Sequence, residues 1–190
     1  MLSTLSDELS SNQNILMFVI GILLGTIVGY QKLFNTCDTD IEEWRPPKLL
    51  TEKDTIIVDM LLSEHKSVSF VFSDPDLPDN ELIYASSGFC NFTGYDKHEI
   101  INRNCRFLQG PKTAKKDIDY IRDCIKKKKE ASVSLLNYKK DGEPFNNQFF
   151  LCPLFRKDNG RLAYFLGVQV ETDNLGPGQA HMNNGWVYRL

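Results

Sequence analysis

The last third of the chain constrains its fold most. Three runs there, Ala131–Tyr138, Phe145–Phe155 and Leu162–Glu171, read as consecutive β-strands. Turn residues at Asp141–Gly142 and Asp158–Asn159–Gly160 separate them, and turns this short pair neighbouring strands antiparallel. Alternate residues of a strand share a face. Asn137 therefore lies with Val133 and Leu135, Asn147 with Phe145, Phe149 and Leu151, and Gln169 with Ala163, Phe165 and Gly167. Three carboxamides each sit on an otherwise apolar face. Leaving one such amide unpaired in a core costs about 1–3 kcal/mol. Two readings follow: the amides pair with one another or with backbone, or they converge on a flat polar group such as the lactam edge of a heterocycle.

Ahead of these strands, β-rich runs at Val68–Phe72 and Leu82–Ala85 precede a stretch of short helical segments from about Ser86 to Gly110. Thr113 is placed to cap a longer helix in which Ala114, Ile118, Ile121 and Ile125 share a face. Two strands, short helices, one longer helix and three antiparallel strands make an α+β domain, spanning 67–172. Within it, Asn102-Arg103-Asn104-Cys105-Arg106-Phe107-Leu108-Gln109-Gly110 concentrates chemistry. As a helix it would set Cys105 and Gln109 one turn apart on one face, with Arg106 free to reach an anion. Arg122, at the border of the longer helix's apolar face, is a second candidate for a phosphate, which a guanidinium matches by bidentate geometry. Taken singly, both also read as surface arginines.

The N-terminal part is of another kind. Residues 1–14 are polar, and Ile15 to Tyr30 carry no charged side chain. As helix that run is ~24 Å long, and it nears the ~30 Å hydrocarbon core if it extends to residue 34 with Lys32 at the interface. The expectation is a single membrane-spanning helix over 15–34, with the domain on the cytoplasmic side given Lys32, Arg45 and Lys48. A signal peptide would need a basic start, and a buried soluble helix is the remaining reading. Gly21, Gly25 and Gly29 share a face that would let two such helices approach closely as a homodimer. A linker at 35–50 leads to an amphipathic flanking helix at 51–66. It opens on a capping-box pattern of Thr51 with Asp54 and carries Ile57, Val58, Leu61 and Leu62 as its stripe. Residues 173–190, rich in Gly and Asn, read as a mobile tail.

Composition excludes several function classes. Twenty-two basic against twenty-five acidic residues give a net charge of −3, so no nucleic-acid partner is expected. Five cysteines without a C-x-x-C pair and three scattered histidines write no metal site. Cys90, Cys124 and Cys152 are expected to be structural thiols. Lys126–Lys129 complement a helix C-terminus, with contact to anionic lipid as the rival reading. The sequon Asn91-Phe92-Thr93 falls inside the domain and is read as accidental.

Asn104-Cys105-Arg106-Phe107-Leu108-Gln109-Gly110 resembles the signature of the LOV (light–oxygen–voltage) branch of the PAS superfamily. The resemblance runs from about Ser67 to Glu171. It includes Val71-Phe72-Ser73-Asp74-Pro75, Leu77-Pro78-Asp79-Asn80, Phe92-Thr93-Gly94-Tyr95, Asn137-Tyr138-Lys139-Lys140-Asp141-Gly142 and Gly167-Val168-Gln169. It implies a PAS/LOV fold, a five-stranded antiparallel sheet with short helices, and a short single-LOV photoreceptor that binds FMN, with Cys105 forming a reversible bond to flavin C4a under blue light. By the same resemblance, Asn104 and Gln109 would contact the ribityl chain, and Arg106 and Arg122 the phosphate. Asn137 and Asn147 would meet the pyrimidine edge, and Gln169 would lie beside O4 and N5. Val71, Ser73, Asn80, Ile118, Leu135, Phe149, Leu151, Phe165 and Gly167 would line the pocket. The short Gln109–Thr113 segment leaves no insertion for an adenine, which favours FMN over FAD.

Nothing in the signature could activate the thiol as in a cysteine hydrolase, so ground-state catalysis is not expected. Two positions depart from the family pattern: Asn102 stands where a glycine is usual, and Asn146 where an aromatic is common. Both are expected to lie away from the flavin. The rival functions are a flavin-binding redox or electron-carrier protein, and a PAS interaction module without photochemistry. The signalling partner is not encoded.

Overall fold

The computed structural model describes residues 44–65 and 67–172. The polar N-terminus, the apolar run 15–34 with Gly21, Gly25 and Gly29, most of the linker and the 173–190 tail lie outside the described residues. Among the described residues no helix is long and apolar enough to cross a membrane.

In chain order the elements are α1 (Glu52–Glu64), β1 (Phe70–Ser73), β2 (Leu82–Ala85), α2 (Ser87–Thr93), α3 (Lys97–Ile100), a 3-10 helix (Cys105–Leu108), α4 (Lys115–Lys127), β3 (Ala131–Tyr138), β4 (Pro144–Phe155) and β5 (Leu162–Glu171). The strands form one five-stranded sheet in the order β2-β1-β5-β4-β3, every pair antiparallel. The expected α+β architecture is therefore the one observed. The β3–β4 and β4–β5 hairpins turn at Gly142 and Gly160, whose φ of 89° and 66° lie in the left-handed region that glycine enters most readily. The first strand starts two residues later than expected. Val68 N–H is spent on the His65 carbonyl at 2.9 Å, so Val68 closes a turn instead of entering the ladder.

Each face of the sheet has its own cover. On the outer face, Phe70, Phe72, Tyr84, Leu154, Tyr164, Leu166 and Val168 are all buried. Trp44 stacks on Phe72 and Tyr84 there, at ring-centroid distances of 5.2 and 4.8 Å. Lys48 anchors the strap that follows. Its backbone N–H donates to the Tyr164 hydroxyl at 3.0 Å, and its ammonium donates to the Ala163 carbonyl at 3.1 Å and pairs with Asp74 and Asp76. In α1 the stripe Ile57, Val58, Leu61 and Leu62 is buried as expected, each side chain contributing about 1.5–3 kcal/mol.

Two caps differ from expectation. Thr51 Oγ1 accepts from Asp54 N–H at 3.3 Å, but the Asp54 carboxylate does not reach back to complete a box. It accepts instead from Phe155 N–H at 2.8 Å, tying α1 to the end of β4. Thr113 does not cap α4. Its hydroxyl accepts from Gly110 N–H at 2.9 Å and donates to the Leu136 carbonyl at 2.7 Å, and the cap position falls to Ala114. Thr113 thus fastens the loop after the signature to β3.

Candidate functional site

Backbone register confirms the parity of the amides. Leu135 pairs with Asn147, Val133 with Phe149 and Asn137 with Phe145. Phe149 in turn pairs with Gln169, and Leu151 with Gly167. Gly167 pairs with Val71, and Phe165 with Ser73. Paired residues of antiparallel strands share a face. The expected pocket residues of four strands therefore line one inner face, across from the helices.

The three amides are 4, 2 and 4 % exposed at Asn137, Asn147 and Gln169. Asn147 Nδ2 donates to Asn137 Oδ1 at 2.9 Å, and Asn137 Nδ2 donates to the Leu136 carbonyl at 3.2 Å. So the amides do pair with one another and with backbone, but the pairing is incomplete. Asn147 Oδ1 is buried without a hydrogen-bond partner. Gln169 Oε1 accepts from the Ser69 hydroxyl at 3.3 Å. An inner face with an unspent acceptor between paired amides calls for an N–H donor, which the imide-like edge of a flavin supplies.

Gly167 sets the depth of this face. A Cβ there would stand 3.0 Å from Phe149, 3.3 Å from Val71 and 3.4 Å from Gln169 Nε2. The apolar packing divides around it. One cluster joins Val71, Leu82, Ala85, Phe89, Cys90, Ile100 and Leu108; the other joins Cys124, Ala131, Leu151 and Phe165, with Phe149 against it.

The signature approaches from the helical side. It does not form the regular α-helical turn expected of it. Cys105–Leu108 is a single 3-10 turn, and Gln109 follows with extended dihedrals of −79° and 149°. Asn104 caps it, accepting from Arg106 N–H at 3.1 Å. Cys105 retains open surface although protein surrounds it, and burial pushes its thiol up from the ordinary value. At neutral pH that thiol is protonated.

Arg106 and Arg122 are both exposed. Arg122 pairs within α4 with Asp119 at 3.2 Å. Arg106 forms a two-pronged pair with Asp79 of the β1–β2 loop, donating through Nη2 to Oδ1 at 2.8 Å and through Nη1 to Oδ2. The Asp79 carbonyl also accepts from Asn104 Nδ2 at 2.5 Å. Ser73 donates its hydroxyl to Asn80 Oδ1 at 3.2 Å, placing Asn80 at the same end. Ile118 is half-buried on α4. Asp79 and Ser69 thus join the site beside the residues expected from sequence. The only sequence signal for Asp79 was its place in Leu77-Pro78-Asp79-Asn80.

The departures from the family pattern have structural accounts. Asn102 has φ of 64°, the left-handed region where glycine is the usual occupant and asparagine the best-tolerated substitute. Asn146 pairs with Leu136 and so lies on the outer face, away from the amides. Cys90 and Cys124 are buried. Asn91 is exposed on α2, while the Thr93 hydroxyl of the sequon is buried and donates to the Phe89 carbonyl at 2.7 Å.

Comparison with known proteins agrees with this geometry. The family described as "PAS domain" matches residues 67–172. Phototropin-2 of Oryza sativa subsp. japonica is 47 % identical over 110 residues, which are 57 % of this chain and 12 % of that protein. The blue-light photoreceptor of Listeria monocytogenes serovar 1/2a is 41 % identical over 105 residues, 55 % of this chain and 41 % of its own. The chain thus spans well under two thirds of these curated relatives. The light-state structure of the blue-light photoreceptor Aureochrome1 LOV superposes with a TM-score of 0.53 at 46 % identity, covering 55 % of this chain and 80 % of that one.

Proposed function

The chain belongs to the PAS domain family and to its LOV branch, and on that premise we propose that it is a blue-light photoreceptor that holds FMN. Cys105 would be the residue whose sulfur bonds reversibly to the flavin C4a carbon under light, its thiol proton passing to flavin N5. The observation that carries this reading is the buried, unpartnered acceptor Asn147 Oδ1 on the inner face, in a domain whose signature presents an exposed Cys105. A thiol and an imide-seeking amide edge in one domain match flavin and few other ligands.

Bound FMN supplies the blue-light absorption and, once excited, the reactivity toward sulfur. The chain supplies the rest. Burial holds the proton on Cys105 Sγ in the dark. The charged groups acting on this thiol are Arg106 and Asp79. Asp79, held below the usual carboxylate range by the Arg106 guanidinium, is too weak a base to deprotonate it. This supports a sensor and not an enzyme. Asn137 and Asn147 orient the pyrimidine edge, Asn104 and Gln109 take the ribityl chain, and Arg106 and Arg122 take the phosphate. Val71, Leu135, Phe149, Leu151, Phe165 and Gly167 exclude water from the ring.

Gln169 is the residue placed to report the change, because an amide can exchange donor for acceptor by turning over. It sits on β5, whose Ala163 carbonyl and Tyr164 hydroxyl hold Lys48 of the N-terminal strap. We propose that the signal leaves along β5 through this strap toward the N-terminal segment. Membrane anchorage through 15–34, a cytoplasmic domain, and a homodimer through Gly21, Gly25 and Gly29 belong to the same proposal, supported by the apolar sequence there.

The test is an absorption spectrum of the purified full chain before and after blue light, beside Cys105→Ala. A structured flavin band that bleaches and recovers in the wild type alone is expected. Flavin that does not bleach would point to a redox carrier, and colourless protein to a PAS interaction module.

A further inference from the structure

Arg106 is the signature's cation, and in this fold its guanidinium is already engaged. Asp79 takes the two terminal nitrogens with both carboxylate oxygens, the fork that a phosphate would otherwise occupy. The same residue's carbonyl binds Asn104 Nδ2, so one loop position grips two of the three signature side chains assigned to the ribityl-phosphate arm. The contact joins residues 27 apart in sequence. It also lies at the surface, with Arg106 and Asp79 side chains 54 and 52 % exposed, where a charged ligand can enter and compete.

We propose that Asp79 is a specificity-determining residue of the flavin site: it competes with the ligand's phosphate for Arg106 and so narrows the preference for FMN over riboflavin. This rests on the photoreceptor reading, because it presupposes a flavin in the cavity. The reason is electrostatic. A phosphate arriving at Arg106 must displace the carboxylate or share the guanidinium with it, and either way it meets a like charge. Riboflavin meets no such opposition, since its ribityl hydroxyls carry no charge. Asn104 is gripped through the Asp79 backbone carbonyl, so substitution of the Asp79 side chain alone leaves that hydrogen bond in place.

The ratio of FMN to riboflavin affinity decides the matter, since a merely structural role for Asp79 would leave it untouched. Binding of FMN and of riboflavin to flavin-free full-length chain is measured by quenching of flavin fluorescence, in wild type, Asp79→Asn, Arg106→Gln and the double variant. Asp79→Asn is expected to raise the FMN-to-riboflavin affinity ratio by roughly tenfold, the scale of one charge-assisted contact, and added salt should shrink that gain. In the Arg106→Gln background the same change should have far less effect, because the competed-for cation is gone. An unchanged or lowered ratio in Asp79→Asn would overturn the inference, a lowered one meaning that Asp79 pre-orients Arg106 for phosphate. If Asp79→Asn fails to fold, Asp79→Glu replaces it: a carboxylate moved by one methylene must alter the ratio if competition sets it. Wild-type chain that binds neither flavin sinks the photoreceptor reading itself. Binding of both with a ratio insensitive to position 79 sinks only this inference.

Discussion

Asn147 donates its amide to Asn137 Oδ1 at 2.9 Å, and in doing so turns its own Oδ1 into buried surroundings that offer it no donor. A buried acceptor without a partner is unfavourable by about 1–3 kcal/mol, a cost that the ligand's N–H relieves on binding. The inner face is built for a guest, and its amides are not a finished core.

Replacing Asn147 with leucine removes that acceptor and strands Asn137 Oδ1. Flavin affinity is expected to fall by roughly ten- to a hundredfold, the worth of 1–3 kcal/mol of lost hydrogen bonding. A fluorescence-quenching titration checks this. Retained wild-type affinity would mean that the pyrimidine edge lies elsewhere.

Gln169→Leu separates detection from output. The side chain sits beside Gly167 and accepts from Ser69, and the variant keeps Cys105 and the amide pair. Light-driven bleaching and recovery are expected to persist, while the light–dark difference in protease sensitivity of the 44–50 strap is largely lost. Undiminished strap sensitivity in the variant would remove β5 from the signal route.

Gly88→Ala tests the close approach of α2 to the start of β1. A Cβ at Gly88 would stand 2.2 Å from the Ser67 carbonyl oxygen, a backbone atom that cannot swing aside. Destabilisation of about 1–3 kcal/mol is expected, read as a lowered melting temperature. The Ser86 hydroxyl would suffer with it, since it donates to the Val68 carbonyl at 2.7 Å and accepts from Phe70 and Phe89 N–H in the same corner.

Cys152 gives a pH dependence with a definite sign. Burial pushes its thiol from an ordinary value of 9.0 up to about 12. Between those values the folded chain holds a proton that the unfolded chain has released, so stability falls as pH rises through that window and is full below it. Cys152→Ala is expected to flatten the decline of melting temperature above pH 9 and to leave the profile at pH 6–8 parallel to wild type. Parallel profiles across the whole range would place the alkaline sensitivity in other groups.

What the sequence determined by itself was whatever short-range periodicity encodes. The alternation of Val133, Leu135 and Asn137, and of Phe145, Asn147, Phe149 and Leu151, assigned each amide to a face before any contact was known, because strand parity is a local property. The turn residues set the pairing of β3, β4 and β5 for the same reason. Tertiary structure decided what depends on partners distant in sequence. Asp54 looked like half of a capping box, but the free N–H of Phe155 lies within reach and takes its carboxylate. Thr113 looked like a helix cap, but the Leu136 carbonyl claims its hydroxyl. Arg106 looked like a free cation until the loop between β1 and β2 brought Asp79 against it. A polar side chain satisfies itself with the nearest competent partner in space, and folding, not adjacency in the chain, determines which partner that is.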